Sequence, residues 1–318
     1  MAKEQRTLQE SILQQRDMLV ALLTDPLKRA ARTSREVWGD REKINHALEE
    51  VLHTMAYCKY LYALDGKAIQ ISDNVSHEGL VSRHFGRDRS TRPYMPKTIS
   101  GDDFRLSDAY ISLRARRPSL TAIQAVSDKQ GAALGYIGAD FDLRALPLTR
   151  SLYEEPRDWT QIKGDPAIRG GVFAQTRCES DMDRHIDTVL GVVEELINVH
   201  GVFHVKLHFS SNRSVIWHYD DPYRYRLLSI EKLVDPNICL AYPNRAYPKD
   251  ASIPEQQIRP ILENLRQLRY MDDTLYLRSG AVNVFNGMIS LNFSCDGSHY
   301  IPFDEFLNKD HAFWSAAE

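Results

Sequence analysis

The sequence predicts an α+β protein with two domains, and three observations support this. The chain has 318 residues, which is longer than one typical compact domain. Its hydrophobic fraction of 43% is enough to fill real cores. In each half of the chain the spacing of apolar residues changes from helical periodicity to strand alternation, which indicates helices packed against antiparallel sheets.

The charge balance argues against nucleic acid or an anionic membrane as a partner. The chain has 40 basic and 43 acidic side chains and a net charge of −3, so no net field attracts a polyanion. No stretch approaches the ~20 apolar residues that span a bilayer, and residues 1–16 contain no apolar signal core. The four cysteines are scattered, without the spacing of a zinc site or a disulfide framework. We therefore expect a soluble cytoplasmic protein without a metal or cofactor.

Two helices are predicted at the N-terminus. Apolar residues recur every three or four positions over residues 4–32, where Pro26 is expected to kink or restart the helix. Asp40 is a suitable N-cap for a second helix with apolar residues on one face between 44 and 55. We assign residues 1–38 to an N-terminal helical segment, whose apolar stripe is either core or the seam of a homodimer.

The next region is predicted to form a five-stranded antiparallel sheet. Asp65-Gly66 lies between two strand-like runs and is a strong hairpin signal. Residues 73–105 have few periodic features and are expected to form a long loop, which is usually functional. The predicted strands are 57–64, 67–72, 106–113, 120–126 and 132–141.

The second half predicts a separate α/β domain. Residues 148–177 are rich in proline and glycine, which is typical of a linker. Within residues 178–318, helices over 180–199 and 254–270 alternate with strand-like runs, and 238–242 is a weak strand candidate. This order roughly repeats the order of the first half, so a second domain of similar plan is a hypothesis.

Residues far apart in the first half form a candidate ligand site. Arg92 offers a planar fork that binds a carboxylate through two hydrogen bonds. Tyr94 and Tyr110 offer flat apolar walls that end in a hydroxyl. Asp140 lies near the end of an otherwise apolar strand and needs a partner, which a ligand ammonium would supply. Together these groups can hold both ends of a small zwitterion.

Each of these residues also has a plainer role open to it. Arg92 can pair with Asp88 or Asp108 and fix the loop. Asp140 can cap the turn that follows its strand, and Tyr110 can be an ordinary half-buried strand residue.

Three motifs in order resemble the Cache family of PAS-like sensory domains. They are Gly-x-Asp-x-Ser-x-Arg-Pro-Tyr at 86–94, Ser-Asp-x-Tyr-Ile-Ser at 107–112, and Gly-x-Ile-Gly-Ala-Asp-Phe-Asp-Leu at 135–143. The likeness covers about residues 40–147, and we place a Cache-type domain at 39–147. It implies a PAS-like five-stranded sheet with a small-molecule pocket under the long loop. Because the second half has a similar order of helices and strands, a PAS-like fold is also a hypothesis for residues 178–318.

The resemblance implies roles for individual residues. In amino-acid-binding members, the arginine and aromatic of the first motif hold the ligand carboxylate, and a strand tyrosine and the later aspartate hold the amine. These roles fall on Arg92, Tyr94, Tyr110 and Asp140. Ser112 is the fifth candidate and stands where the amino-acid binders have an acidic residue. Two further departures are Met95, where a second aromatic is common, and Arg87, where a tyrosine is usual.

With these three departures, the residues expected to bind a carboxylate are still present, but fewer groups remain to bind an amine. The expected ligand is an amino acid, an amine or a small carboxylate, with a purine also open. The resemblance thus implies a bacterial, non-enzymatic ligand sensor in signal transduction. The alternative is an enzyme whose chemistry lies in residues 178–318, around His204, His218 and Asp220. A third interpretation is a structural adaptor whose pocket has no ligand.

Overall fold

The computed structural model describes residues 7–95, 104–113, 116–148, 176–294 and 298–309. It confirms an α+β protein with antiparallel sheets and an N-terminal helix. The described residues divide into two compact units, one from Gln9 to Leu148 and the other containing residues 176–309. The linker predicted at 148–177 lies almost wholly outside the described residues. The predicted domain boundaries stay predictions, although the first unit includes nearly all of the long N-terminal helix.

The N-terminal helices are α1 (Leu8–Arg35) and α2 (Arg41–Leu52). Pro26 lies inside α1, which continues past it as one helix. Helix α2 begins after Asp40, whose carboxylate accepts a hydrogen bond of 3.2 Å from the Lys43 amide, as predicted for an N-cap. Among the helices of the described ranges, none is both long and apolar enough to cross a bilayer.

The sheet of the first unit has seven strands among the described residues, so the predicted count of five is too low. The strands are β1 (Tyr60–Asp65), β2 (Asn74–Ser76), β3 (Gly79–Val81), β4 (Phe104–Leu106), β5 (Tyr110–Ile111), β6 (Pro118–Ser127) and β7 (Ala133–Asp142). Their order is β3-β2-β1-β7-β6-β4, and β5 also pairs with β6. Part of the loop expected at 73–105 therefore belongs to the sheet.

A polar interruption explains why the strand predicted at 106–113 is split into β4 and β5. The Ser107 hydroxyl donates to the Asp108 carbonyl and accepts from the Thr121 amide, which replaces the regular ladder at this point. The strand predicted at 67–72 forms in part. In the turn, the Asp65 carboxylate accepts from the amides of Lys67 and Ile69. Gln70 then bridges Leu64 of β1, and the Ile71 amide donates to the Ala63 carbonyl, before the regular pairing of β2.

The pairing of β1, β7 and β6 positions the polar side chains of the first unit. Asp140 on β7 lies opposite Tyr60 on β1 and Thr121 on β6. Gly138 lies opposite Tyr62, and a Cβ built on Gly138 would come within 2.4 Å of the Tyr62 ring. Glycine at this position therefore leaves room for the Tyr62 ring to lie across the sheet toward Asp140.

The second unit packs helices on another antiparallel sheet. The helices are α3 (Asp181–Arg184), α4 (Ile186–Val199), α5 (Ile230–Leu233), α6 (Ile258–Tyr270) and α7 (Phe303–Asn308). The strands are β8 (Val202–His208), β9 (Arg213–His218), β10 (Asp221–Ser229), β11 (Leu277–Asn283), β12 (Met288–Phe293) and β13 (Ser298–Pro302). Residues Pro236–Ala241 form a 3-10 helix, so the weak strand predicted at 238–242 is wrong.

The two sheets differ in strand order, which contradicts the hypothesis of a shared plan. In the first sheet, β1 lies between β2 and β7, which are the second and the last described strands. In the second, the order is β10-β9-β8-β11-β12-β13, so the last strand lies at an edge. A similar order of helices and strands along the chain has thus produced two different sheets.

Candidate ligand-binding site

All five residues singled out from the sequence line one cavity in the first unit. They are Arg92, Tyr94, Tyr110, Ser112 and Asp140, and the cavity has a volume of about 350 Å³. Pockets that hold small metabolites are usually of this size or larger. The segment after β3, the region of β5 and the end of β7 each supply part of the lining. Side chains from segments that are far apart in the sequence thus meet at one cavity.

The residue at the centre of the site is Arg89, which sequence reasoning missed. Its side chain is buried and its guanidinium donates to Gln70 Oε1 at 2.7 and 2.9 Å, to the Tyr94 hydroxyl at 3.0 Å and to Asn74 Oδ1 at 3.1 Å. It also lies 3.8 Å from the centre of the Tyr62 ring. Arg89 therefore ties the segment after β3 to the sheet.

The partners of Asp140 come from the protein itself, which corrects the expectation that a ligand ammonium must supply them. Oδ1 accepts from the Tyr62 hydroxyl at 2.9 Å and from Thr121 Oγ1 at 2.8 Å. Oδ2 lies 3.6 Å from Arg89 Nη1. The carboxylate still lines the cavity, but its charge is already compensated. Asp140 also makes no cap for the turn after β7, because Asp142 accepts from the Arg144 amide there.

Tyr110 is the outer member of a hydrogen-bonded chain that ends at Asp140. Its hydroxyl lies 2.6 Å from Thr121 Oγ1. Because Thr121 donates its own proton to Asp140, Tyr110 is the donor in this bond. Burial, followed by the charge of Asp140, raises the pKa of Tyr110 and keeps its hydroxyl protonated. The Tyr94 ring lies 5.7 Å from the Tyr110 ring, so the two tyrosines form one apolar wall.

Arg92 contrasts with Arg89 in its surroundings. Within the described part of the chain, the Arg92 side chain has no hydrogen-bond or ion-pair partner, while it lines the cavity. The pairing of Arg92 with Asp88 or Asp108, which the sequence left open, does not form among the described residues. Asp88 accepts instead from the Ser90 amide, and Asp108 lies 3.4 Å from Arg16. Arg92 thus lines the cavity as a half-buried cation.

Ser112 offers a second polar group to the cavity. Its amide donates to the Arg117 carbonyl, which holds the backbone in place. Its Oγ is buried and, among the described residues, has no hydrogen-bond partner. A buried hydroxyl without a partner has a free-energy cost that a ligand can remove.

The residues considered for an enzyme in the second unit lie on β8, on β9 and in the turn after β9. Trp217 lies opposite His204, and Val202 lies opposite His218. The His218 ring accepts from the Asp220 amide at 3.1 Å, and burial lowers the pKa of this histidine to about 4. His204 packs edge-on against Trp217 with a ring separation of 4.7 Å. In the ranges that the structure describes, no three metal-ligating side chains come together.

Comparison with known proteins finds likeness only among solved structures. No protein-family model matches the chain, and no curated protein does. An extracellular ligand-binding receptor from Desulfohalobium retbaense is 16% identical, with a TM-score of 0.36 over 45% of this chain and 26% of that one. The Campylobacter jejuni chemoreceptor Tlp3 ligand-binding domain, in complex with L-valine, is 12% identical, with a TM-score of 0.35 over 42% of this chain and 56% of that one.

A third similar structure is the ligand-binding domain of the Pseudomonas fluorescens chemoreceptor CtaA in complex with L-serine. It is 16% identical, with a TM-score of 0.32 over 42% of this chain and 56% of that one. This chain spans between about a quarter and just over half of the length of these three structures. All three are ligand-binding domains or receptors by description.

Proposed function

We propose that the first unit is a sensory module that binds a small molecule, and that the protein acts in signal transduction rather than as an enzyme. The observation that carries this proposal is the convergence of Arg92, Tyr94, Tyr110, Ser112 and Asp140 on one cavity. These residues come from separate segments, and the cavity combines an apolar wall with a few polar groups, as small-molecule sites do. The ligand class is an amino acid, an amine or a small carboxylate.

The geometry supports a specific mode of binding. The fork of Arg92 takes a carboxylate in two hydrogen bonds. The rings of Tyr94 and Tyr110 contact the apolar part of the ligand, and Ser112 Oγ supplies a further hydrogen bond. Arg89 acts as a positioning residue, because its bonds to Gln70 and Tyr94 fix the segment that carries Arg92.

Signalling then follows from a change in population. The segment after β3, from 82 to 95, supplies Arg92 and Tyr94 to the cavity, while Tyr110 and Asp140 belong to the sheet. A ligand that contacts both sides favours the state in which this segment lies against the sheet. We further propose that the protein is a cytoplasmic homodimer that pairs through α1. Cys58, Cys178 and Cys239 are free thiols, which is the state that a reducing compartment maintains.

A thermal-shift screen of the full chain tests the function. The panel contains L-isoleucine, putrescine, succinate, butyrate and adenine. We expect at least one compound to raise the melting temperature by several degrees, because it binds only the folded state. Arg92→Ala should remove that shift. Arg105→Ala, which removes an exposed arginine of β4 outside the cavity lining, should retain it. No shift with any compound, or a shift that survives Arg92→Ala, would rule out the proposed site.

A further inference from the structure

The cavity has an excess of positive charge. Its described lining contains five permanently cationic side chains, which are Lys59, Arg83, Arg87, Arg89 and Arg92. The carboxylates among the described lining residues are Asp140 and Asp142. Asp140 faces Arg89, and Asp142 lies 3.5 Å from Arg117, which is outside the lining. Charges of one sign around a concave site raise its affinity for ligands of the opposite sign.

Two of these cations, Arg83 and Arg87, share one neighbour. Arg83 Nε lies 3.4 Å from Nε2 of the buried His84, and Arg87 Nη1 lies 3.4 Å from Nδ1 of the same ring. One guanidinium thus lies beside each nitrogen of this histidine ring. An anion placed beside these two arginines would interact favourably with both.

Asp140 is poorly suited to bind an ammonium group. Its Oδ1 already accepts two hydrogen bonds, from Tyr62 and Thr121. Its Oδ2 lies 3.6 Å from an Arg89 nitrogen, so a ligand ammonium at this oxygen would also lie close to the Arg89 guanidinium. Like charges at such a distance repel, which offsets the attraction of the carboxylate.

We propose that the ligand is a small organic dianion rather than a zwitterionic amino acid. This inference rests on the proposed sensory function and specifies its ligand. One anionic group binds the fork of Arg92, and the second binds beside Arg83 and Arg87. The rings of Tyr94 and Tyr110 contact the short carbon chain that joins the two groups.

Four matched compounds separate the contribution of a second anion from that of an amine. Butyrate has one carboxylate, L-2-aminobutyrate adds an amine, succinate adds a second carboxylate, and L-aspartate has both additions. Isothermal titration of the full chain in low-salt zwitterionic buffer measures each affinity. The second carboxylate should strengthen binding about tenfold or more, whether or not the amine is present. The amine should not strengthen it. 3-Phosphonopropionate is titrated beside succinate to distinguish a carboxylate from a phosphonate as the second anion. The proposal is supported if either compound binds more tightly than butyrate.

Variants locate the second anion. Arg83 is exposed at the protein surface, so Arg83→Ala should leave the fold intact. It should weaken succinate several-fold and leave butyrate unchanged, while Arg105→Ala should change neither. Tighter binding of L-2-aminobutyrate than of succinate, lost in Arg92→Ala, would overturn the dianion and leave the sensory function standing. Succinate affinity unchanged by Arg83→Ala would also overturn it. Failure of these compounds and of the whole thermal-shift panel would remove both proposals.

Discussion

Arg89 and Arg92 lie three positions apart and have opposite environments. Arg89 is buried, donates hydrogen bonds to three side chains and faces Asp140. Arg92 is half-buried at the cavity and, among the described residues, its side chain has no such partner. The hydrogen bonds and ion pair of Arg89 stabilise the fold, whereas the proposed role of Arg92 is to bind the ligand.

The two arginines should therefore respond differently to truncation. Arg89→Ala removes the cation beside Asp140 and the buried donor to Gln70 and Tyr94, so we expect a loss of about 3 kcal/mol in the local free energy of unfolding. Arg92→Ala should cost less than about 1 kcal/mol. Native-state hydrogen exchange at the amides of β6 and β7 measures both values within the first unit. Arg105→Ala serves as the control. Equal losses in the two variants would contradict this division of roles.

The sequence identifies the right segment for the site but not the right use of its arginines. Residue types that can bind a carboxylate are visible in the motif at 86–94. Burial of Arg89 depends on Gln70 in a preceding turn and on Asp140 in a distant strand, and no local spacing indicates those contacts. The compensation of Asp140 by Tyr62 and Thr121 is likewise set by strand register.

At the scale of elements, signals that act within a few residues were predictable. The Asp40 cap and the turn at Asp65-Gly66 both occur where the sequence indicates. Errors arose where a side chain competes with the ladder, as Ser107 does between β4 and β5. The buried ion pair of Arg269 with Asp183, which joins α6 to α3, is another long-range contact that periodicity does not reveal.

Two histidines on adjacent strands, the half-buried His208 and the buried His218, make the second unit sensitive to acid. Burial lowers the pKa of His208 on β8 and of His218 on β9 to about 4, from an ordinary value of 6.5. The unfolded chain therefore binds protons at a higher pH than the folded chain. Stability should be fully present above about pH 6.5 and should fall as the pH drops toward 4, by up to about 3 kcal/mol for each histidine.

Hydrogen exchange at α4 and β8, compared between pH 7.5 and pH 5, measures this loss. We expect His218→Gln to reduce the difference in stability between the two pH values, because it removes a base whose pKa folding lowers. His185→Gln, which replaces an exposed histidine of the same unit, is the matched control and should follow the parent protein. An undiminished pH dependence in His218→Gln would show that another group is responsible.

At the scale of the whole molecule, α1 has two kinds of apolar surface. Leu19, Leu23 and Leu27 are buried, so one side of the helix belongs to the core. Leu13 and Met18 are 57% and 47% exposed, and Leu22 is 44% exposed. The sequence predicts an apolar stripe that is either core or a dimer seam. Periodicity alone does not show which residues of the stripe pack in the core and which stay exposed. Met18 and Leu22 are one helical turn apart and share a face, whereas Leu13 lies on the opposite side of the helix from Leu22. Exposed apolar side chains that share a face are typical of an interaction surface.

The dimer proposal is best tested by point substitution, because deletion of α1 would also remove Leu19 and Leu23 from the core. We expect the parent chain to sediment as a dimer at micromolar concentration. The double variant Met18→Lys, Leu22→Lys should sediment as a monomer, since charges at the seam repel their copies and lose apolar contact. Leu80→Lys, which changes a 49% exposed leucine on β3, should stay dimeric. If the double variant keeps the mass of the parent dimer, the face of α1 that carries Met18 and Leu22 does not form the seam. A monomeric parent would remove the dimer altogether, and ligand binding would then have to act within a single chain.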